Sequence, residues 1–248
     1  MDFAGRVAIV TGSASGMGRQ TAQRLAERGA AVVVNDIDAG KLESTVAEFK
    51  KNGLKAIAVA ADISDKGDVD RMVRQTVDDF GRIDILVNNA GMERAGPLRK
   101  LSETDWDLTI DVNLKGAFLC SQAVHGHMVE KKYGRIVNIS SRAWLGGPGQ
   151  APYSSAKAGL VGLTRTLTLE LGRNGITANC IAPGLIHTPM WDELPDKDKM
   201  YLLSKVPTGN LGDAEDVANA VLFFADEHAG FISGQVLYVC GGRSLFAG

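Results

Sequence analysis

The stretch that decides the fold is Val7-Ala8-Ile9-Val10-Thr11-Gly12-Ser13-Ala14-Ser15-Gly16-Met17-Gly18. Its first four residues form a short apolar run, which is typical of a central parallel strand that is covered on both faces. A glycine turn follows at once, and the apolar residues of 19–28 then recur at helical spacing. The order strand, glycine turn, helix predicts a βα unit.

The three glycines of this turn, Gly12, Gly16 and Gly18, suit a phosphate group. They let the backbone turn tightly and approach a pyrophosphate, and the start of the following helix offers N–H groups and a positive dipole. We predict that Ser15 and Met17, which lie between the glycines, also contact the bound group. The spacing Gly-x-x-x-Gly-x-Gly differs from the commoner Gly-x-Gly-x-x-Gly. The glycines alone therefore also fit a βα turn without a function.

A carboxylate marks the end of the second predicted strand, 31–35, at Asp36. At this place a carboxylate accepts hydrogen bonds from the adenosine ribose hydroxyls of NAD and repels the 2'-phosphate of NADP. The glycine turn holds no Arg or Lys that could bind such a phosphate. Asp36 therefore predicts NAD as the cofactor, and a solvated loop carboxylate is the alternative.

Strand and helix patterns keep alternating along the rest of the chain. Further strands are predicted at 56–60, 83–87, 135–139, 176–181 and 235–239. Helices are predicted at 41–50, 69–80, 153–172 and 214–224, with a mostly helical segment at 101–132 that is interrupted near residues 111–113. Such spacing requires parallel βα units, so we expect a single α/β domain over 1–248 with a doubly wound parallel sheet and helices on both faces. The polar segment 188–205 is predicted to be a substrate lid.

Composition excludes several classes of function. A net charge of −2 over 248 residues offers no basic surface to nucleic acid. No apolar run approaches the ~18 residues of a membrane span, and the start lacks a signal-peptide pattern, so a cytoplasmic protein without membrane contact is expected. The three cysteines have no metal-ligand spacing, and we expect buried thiols and no metal.

A candidate proton-transfer pair lies in Tyr153-Ser154-Ser155-Ala156-Lys157. Residues four apart share one face of a helix, so the ammonium of Lys157 would lie beside the phenol of Tyr153. A nearby cation favours the phenolate and lowers the pKa of the tyrosine toward the working range. The alternative is a surface helix with a lysine that reaches into solvent.

Taken together in this order, the motifs resemble the short-chain dehydrogenase/reductase family over nearly the whole chain. The resemblance rests on the glycine turn, Asp62, Asn88-Asn89-Ala90-Gly91, Asn113, Ser140-Ser141, Tyr153 with Lys157, and Pro183-Gly184 with Thr188. It implies a Rossmann-like sheet of seven strands in the order 3-2-1-4-5-6-7, a nicotinamide cofactor and a homotetramer.

The resemblance assigns catalytic roles to four side chains. Tyr153 would exchange a proton with the substrate oxygen while a hydride moves between the substrate carbon and the nicotinamide. Lys157 would lower the pKa of Tyr153 and hold the nicotinamide ribose. Asn113 would keep a water molecule that links Lys157 to solvent, and a strand-end serine would hydrogen-bond the reacting oxygen.

Two adjacent serines compete for that last role. Counting thirteen residues back from Tyr153, as in many family members, points to Ser140, whereas the register of the strand 136–139 points to Ser141. We favour Ser141, because loop lengths vary while a slip within a strand reverses every side chain.

The resemblance also implies cofactor contacts beyond the glycine turn and Asp36. These residues are Asp62, Ile63, Asn89, Ala90, Gly91, Tyr153, Lys157, Pro183, Gly184, Ile186 and Thr188. For Asn88 and Asn89, bracing between strands is an equally good alternative.

The predicted function is hydride transfer between NAD and a secondary alcohol or ketone. The loops after strands four to six offer an apolar pocket with a few charges, in which Arg94 or Arg142 could hold a carboxylate or thioester, or could be solvated. His187 is expected to be a wall residue. An NADP-dependent carbonyl reductase of the 3-oxoacyl type is the alternative enzyme, and a non-enzymatic cofactor-binding protein is the third hypothesis.

Overall fold

The computed structural model describes residues 1–187, 189–192 and 194–245. Seven parallel strands form one sheet in the order β3-β2-β1-β4-β5-β6-β7, which confirms the predicted fold class. The strands are β1 Val7–Val10, β2 Ala31–Asp36, β3 Ala56–Ala60, β4 Ile85–Asn88, β5 Gly134–Ile139, β6 Ile176–Pro183 and β7 Val236–Val239.

Helices cover both faces of this sheet. They are α1 Gly16–Glu27, α2 Ala39–Lys51, α3 Lys66–Phe80, α4 Glu103–Ile110, α5 Gly116–Lys131, α6 Ala151–Leu171, α7 Pro189–Asp192, α8 Asp196–Leu203 and α9 Ala214–Ala225. Successive residues of β1 enter different cores: Ala8 and Val10 pack with α1, α2 and α9, whereas Ile9 packs with α3 and α5. This alternation explains why the central strands are apolar throughout.

The long helical segment is interrupted where the sequence indicated. Asp111–Lys115 form a π turn between α4 and α5. Such a turn holds one residue more than an α turn and commonly lies at a functional site. Gly116, directly after it, packs on Ile63: a Cβ atom at Gly116 would lie 2.6 Å from Ile63 Cδ1.

Strand register brings the predicted motifs to one edge of the sheet. Asn88 of β4 pairs with Asn138 of β5, Ile139 with Ile181 of β6, and Pro183 with Val239 of β7. The segments after these strands therefore lie side by side at the carboxyl edge, where open α/β sheets bind ligands.

Element bounds differ from the predictions by a few residues. Helix α1 begins at Gly16, three residues before the predicted start, because the chain turns at the extended Ser15 (φ −154°) and at Gly16 itself, whose φ of +57° is left-handed. The predicted lid contains the short helices α7 and α8, while the predicted cofactor contact Thr188 lies outside the described residues. Among the helices that the structure describes, none combines the length and the hydropathy needed to cross a bilayer.

Candidate active site

The glycine turn packs against the segment after β4 without room for side chains. Gly12 has φ +61°, and a Cβ atom there would lie 2.7 Å from Ala90 Cα. At Gly18 a Cβ atom would collide with the Gly12 carbonyl oxygen and with Asn89 Nδ2. Position 16 favours glycine only because of its backbone conformation, since φ is +57° and an added Cβ atom would meet open space.

The start of α1 lacks a side-chain cap. Ser15 occupies the N-cap position without a capping hydrogen bond, and the first turn carries no acidic residue. By contrast, the side chains of Asp38, Asp65, Ser102 and Asp213 cap α2, α3, α4 and α9. The first N–H groups of α1 are thus left to a ligand, and a phosphate suits them in both charge and geometry. This cradle fits a dinucleotide cofactor.

A groove of about 510 Å³ runs from this turn across the ends of β2, β3 and β4. Ten of the predicted cofactor residues line it: Gly12, Ser15, Met17, Gly18, Asp36, Asp62, Ile63, Asn89, Ala90 and Gly91. The prediction missed Asn35, Ile37, Ala61, Met92, Leu108 and Val112, which line it too. The sequence signal for Ile37 is its place directly after the predicted ribose-binding Asp36. In the structure Ile37 is 75% exposed, and such a side chain can cover a flat apolar base.

Asp36 is held in place at one wall of this groove. Its carboxylate accepts hydrogen bonds from Ala14 N (3.3 Å) and Asp38 N (3.2 Å). The first basic residue after the glycine turn, Arg19, forms an ion pair of 2.6 Å with Glu48. The groove wall next to the glycine turn therefore carries a carboxylate, and the first guanidinium after the turn is paired with another carboxylate.

Asn88 and Asn89 both brace strands. Asn89 Nδ2 donates to the carbonyl oxygens of Thr11 (2.9 Å) and Gly12 (3.0 Å), and Thr11 Oγ1 accepts from Asn89 N and Ala90 N at 3.0 Å each. Asn88 Nδ2 donates to Asn138 Oδ1 at 2.8 Å. The Asn88 side chain therefore braces neighbouring strands, whereas Asn89 both braces the glycine turn and lines the groove.

Tyr153 and Lys157 lie one turn apart on α6, as the spacing predicted. The Lys157 ammonium lies 5.4 Å from the centroid of the Tyr153 ring and donates to the carbonyl oxygen of Ile139 at 2.9 Å. Lys157 is almost fully buried, and this desolvation lowers its pKa to about 8.

The pKa of Tyr153 moves against expectation. Burial raises it above the usual value, contact with the Ser141 hydroxyl lowers it, and the charge of Glu93 raises it. The expected lowering by Lys157 is not among these causes, so the predicted direction is wrong for the protein by itself. The reason is that burial takes the phenol out of water, which disfavours the charged phenolate.

The two serines have different partners. Ser140 is buried, and its hydroxyl donates to the Lys157 carbonyl oxygen at 2.8 Å. The Ser141 hydroxyl accepts from Ala143 N at 3.1 Å and lies against Tyr153. The structure therefore brings Ser141 together with the tyrosine, while Ser140 ties β5 to α6.

Asn113 lies in the π turn with one half of its amide unsatisfied. Its Nδ2 donates to the carbonyl oxygens of Met92 (2.7 Å) and Thr109 (2.9 Å), whereas the buried Oδ1 has no partner among the described residues. A Cβ atom at Gly91 would lie 2.6 Å from that Oδ1 and 3.2 Å from Lys157 Nζ. Gly91 thus keeps space between the two groups, and a water molecule there would satisfy both.

The predicted contacts after β6 are separate from the groove. Gly184 packs on Cys240, where an added Cβ atom would lie 2.6 Å from the cysteine Cβ, and Ile186 forms a bridge with Gly212. Pro183 closes β6 beside them. These residues lie at the carboxyl edge but do not line the groove beside the glycine turn.

The charged pocket residues also differ from one another. Arg94 is half-exposed and forms a loose ion pair with Asp105 at 3.9 Å. His187 is exposed, and its Nε2 lies 2.9 Å from Asp192 Oδ1. In the described part of the chain, no group of His, Cys, Asp or Glu side chains could hold a metal ion.

Comparison with known proteins identifies the protein family. Residues 12–244 match the family model described as enoyl-(acyl carrier protein) reductase. A subunit of (2S)-[(R)-hydroxy(phenyl)methyl]succinyl-CoA dehydrogenase from Thauera aromatica is 71% identical over 248 residues, 100% of both chains. A 3-oxoacyl-(acyl carrier protein) reductase from Thermotoga maritima is 40% identical over 98% of this chain and 99% of its own.

The solved structure of levodione reductase superimposes with a TM-score of 0.94 at 35% identity and covers 98% of this chain and 99% of that one. The sheet order, the glycine turn and these relatives agree. The chain therefore belongs to the short-chain dehydrogenase/reductase family of oxidoreductases, which act on hydroxyl and carbonyl groups.

Proposed function

We propose that this protein is an NAD-dependent dehydrogenase that oxidises a secondary alcohol at Tyr153. The observation that carries the proposal is the contact of Ser141 with Tyr153 beside the buried ammonium of Lys157, next to the space in front of Asn113. The arrangement supports the proposal because a proton acceptor, a hydrogen-bonding hydroxyl and a cation are the groups that such an oxidation needs.

The residues divide the chemistry as follows. When bound, NAD supplies the acceptor for the hydride that leaves the substrate carbon. Ser141 holds the substrate hydroxyl, and Tyr153 removes its proton as the C–O bond becomes a carbonyl. Lys157 and a water molecule on Asn113 Oδ1 would then carry that proton from the tyrosine toward solvent.

Cofactor choice follows from Asp36. Its fixed carboxylate suits the two ribose hydroxyls of NAD and repels a 2'-phosphate. We expect Asp36→Asn to reduce the preference for NAD over NADP, measured as the ratio of kcat/KM values, by at least about tenfold. A wild-type preference for NADP would refute the assignment and would favour the 3-oxoacyl reductase alternative.

For the substrate, we propose the class named for the Thauera aromatica relative: a benzylic secondary alcohol carried on a succinyl-CoA thioester. The support is 71% identity over the full length of both chains. The second candidate is a 3-oxoacyl thioester, supported by the 40% identical relative from Thermotoga maritima. We propose that helices α7 and α8, which lie within residues 189–192 and 194–205, cover the bound substrate.

One experiment separates these candidates. Purified protein is mixed with NAD and hydroxy(phenyl)methylsuccinyl-CoA, and NADH is followed by absorbance; the reverse assay uses a 3-oxoacyl thioester with NADH or NADPH. We expect fast NAD reduction in the first assay. Reduction of the 3-oxoacyl thioester with NADPH and no oxidation of the alcohol would contradict the proposal, and inactivity in both would favour a non-enzymatic protein.

We further propose that the protein is a cytoplasmic oligomer. Large apolar side chains are exposed on α4 (Trp106), α5 (Phe118), α9 (Phe223) and β7 (Leu237), and such surfaces commonly form interfaces. A homotetramer is the expectation from the sequence, and the description of the Thauera aromatica relative as a subunit adds a second kind of chain as an option. Sedimentation of the protein alone distinguishes a homotetramer from a monomer.

A further inference from the structure

Two arginines lie near each other at the carboxyl edge of the sheet. Arg142 opens the short turn Arg142–Leu145 after β5, and Arg243 opens the turn Arg243–Leu245 after β7. The Nε atoms of both are buried and have no hydrogen-bond partner among the described residues. Within that part of the chain neither guanidinium forms an ion pair.

Their mutual approach is unfavourable as it stands. Burial lowers the pKa of Arg243, and the positive charge of Arg142 lowers it further. Two half-buried like charges repel and have each lost part of their hydration. An anion between them would remove the repulsion and fill the unused donors, because a guanidinium binds a carboxylate through two parallel hydrogen bonds.

The other arginines near the cleft are already neutralised. Arg94 pairs with Asp105, and Arg19 pairs with Glu48. Arg24 also has a buried Nε without a partner, but its terminal nitrogens bind Glu27 and Glu215. Of the five arginines compared, Arg142 and Arg243 are therefore the two without a carboxylate partner among the described residues.

Arg142 directly follows a residue of the proposed reaction centre, and its charge acts on Tyr238 of an aromatic wall. Arg142 directly follows Ser141, which contacts Tyr153. Trp144, in the same turn, stacks on Tyr238 of β7 with ring centroids 6.4 Å apart and planes at 24°. An aromatic ring can pack on such a wall while a carboxylate of the same molecule reaches the guanidinium groups.

We propose that Arg142 and Arg243 form a binding site for the free carboxylate of the succinyl thioester substrate, an inference that rests on the proposed function. The site makes the enzyme specific for acyl thioesters that carry a second, ionised acid group. Its position next to Ser141 orients the alcohol carbon toward the cofactor groove, since both ends of the substrate are held.

The test compares the acid with its uncharged ester. Arg243→Gln and Arg142→Gln are assayed with NAD and hydroxy(phenyl)methylsuccinyl-CoA, and with the same thioester whose free carboxylate is a methyl ester. We expect each variant to raise KM for the acid by about 10- to 100-fold and to leave KM for the ester within about threefold of wild type. Arg243→Lys should show a smaller increase in KM for the acid than Arg243→Gln, because lysine retains the positive charge but lacks the paired donors of a guanidinium.

Matched controls show whether the effect belongs to this arginine pair. Arg173→Gln changes an exposed arginine at the opposite edge of the sheet and should leave both KM values unchanged. Thioesters of N-acetylcysteamine, which lack the phosphates of CoA, should show the same dependence on Arg243. An equal loss for acid and ester, a loss confined to CoA thioesters, or a larger effect from Arg94→Gln would each overturn the proposal.

A binding measurement separates this inference from the proposed reaction. 2-Benzylsuccinyl-CoA has no hydroxyl to oxidise, so calorimetric titration into the NADH-loaded protein reports binding alone. Wild type should bind it about 10- to 100-fold more tightly than Arg243→Gln does, and the methyl ester should not distinguish the two. If the wild-type protein binds but does not oxidise the alcohol, the proposed reaction fails and the carboxylate site stands; if the acid and ester bind equally to wild type, the site fails.

Discussion

The half of the cleft around the glycine turn is shaped by backbone atoms, whereas the half around Tyr153 is shaped by buried side chains. In the first half, Gly12 and Gly18 leave no room for a Cβ atom, and the start of α1 presents uncapped N–H groups. In the second half, Lys157 and Asn113 are buried with their polar atoms directed to specific acceptors or to open space. The first half should therefore be sensitive to added volume and the second to changed chemistry.

The largest effect should come from removing the proton acceptor. Tyr153→Phe keeps the ring and its contact with Lys157 but deletes the hydroxyl, so kcat should fall by about 10³-fold. The affinity for NADH, measured by fluorescence titration, should change by less than about threefold. A comparable loss of NADH binding would show that the two halves are not separable.

Adding one methyl group at the glycine turn should produce the opposite pattern, with a loss of NADH affinity. Gly18→Ala would force a Cβ atom onto Gly12 and Asn89, so we expect NADH affinity to fall by about 100-fold and the free energy of unfolding to fall by about 1–3 kcal/mol. Gly162→Ala on α6 is the matched control, because open space surrounds that position, and it should keep NADH affinity. Unchanged NADH binding in Gly18→Ala would contradict the close packing.

The serine pair sharpens the second half of the comparison. Ser141→Ala should lower kcat by about 10²-fold and move the pH profile of oxidation to higher pH, because it removes the contact that lowers the pKa of Tyr153. Ser140→Ala should keep most of the activity and lose about 1 kcal/mol of stability with its hydrogen bond to α6. The reverse pattern in kcat and in urea denaturation would assign the catalytic role to Ser140.

The last prediction concerns Lys157 and the pH dependence of stability. Burial lowers its pKa to about 8, below the usual 10.5 of a solvated lysine, so the unfolded chain binds more protons than the folded chain between these values. Stability should therefore rise with pH from about 8 to 10.5 by up to about 3 kcal/mol relative to Lys157→Met. Denaturation of both proteins at pH 7, 8.5 and 10 measures this difference, and parallel curves would contradict it.

Sequence reasoning worked best where a property is local. The glycine turn, the apolar strands and the interruption near Asn113 each predicted what the structure has, because turns and strand patterns depend on neighbouring residues. The pKa of Tyr153 was predicted in the wrong direction, since burial depends on elements that only the folded chain brings together. Arg243 was missed for the same reason: the order of β5, β6 and β7 places it beside Arg142, although the two are far apart in sequence.

The π turn Asp111–Lys115 makes the site depend on the length of the chain as well as on its residue types. One inserted residue rotates everything beyond it by about 100° around the helix axis. As a result α4 packs on α6, whereas α5 packs on α3 and the sheet, and Asn113 lies at the change of phase between them. Deleting one residue here would restore a continuous helix and turn the amide away from Lys157, so the site would be lost while every catalytic side chain was still present.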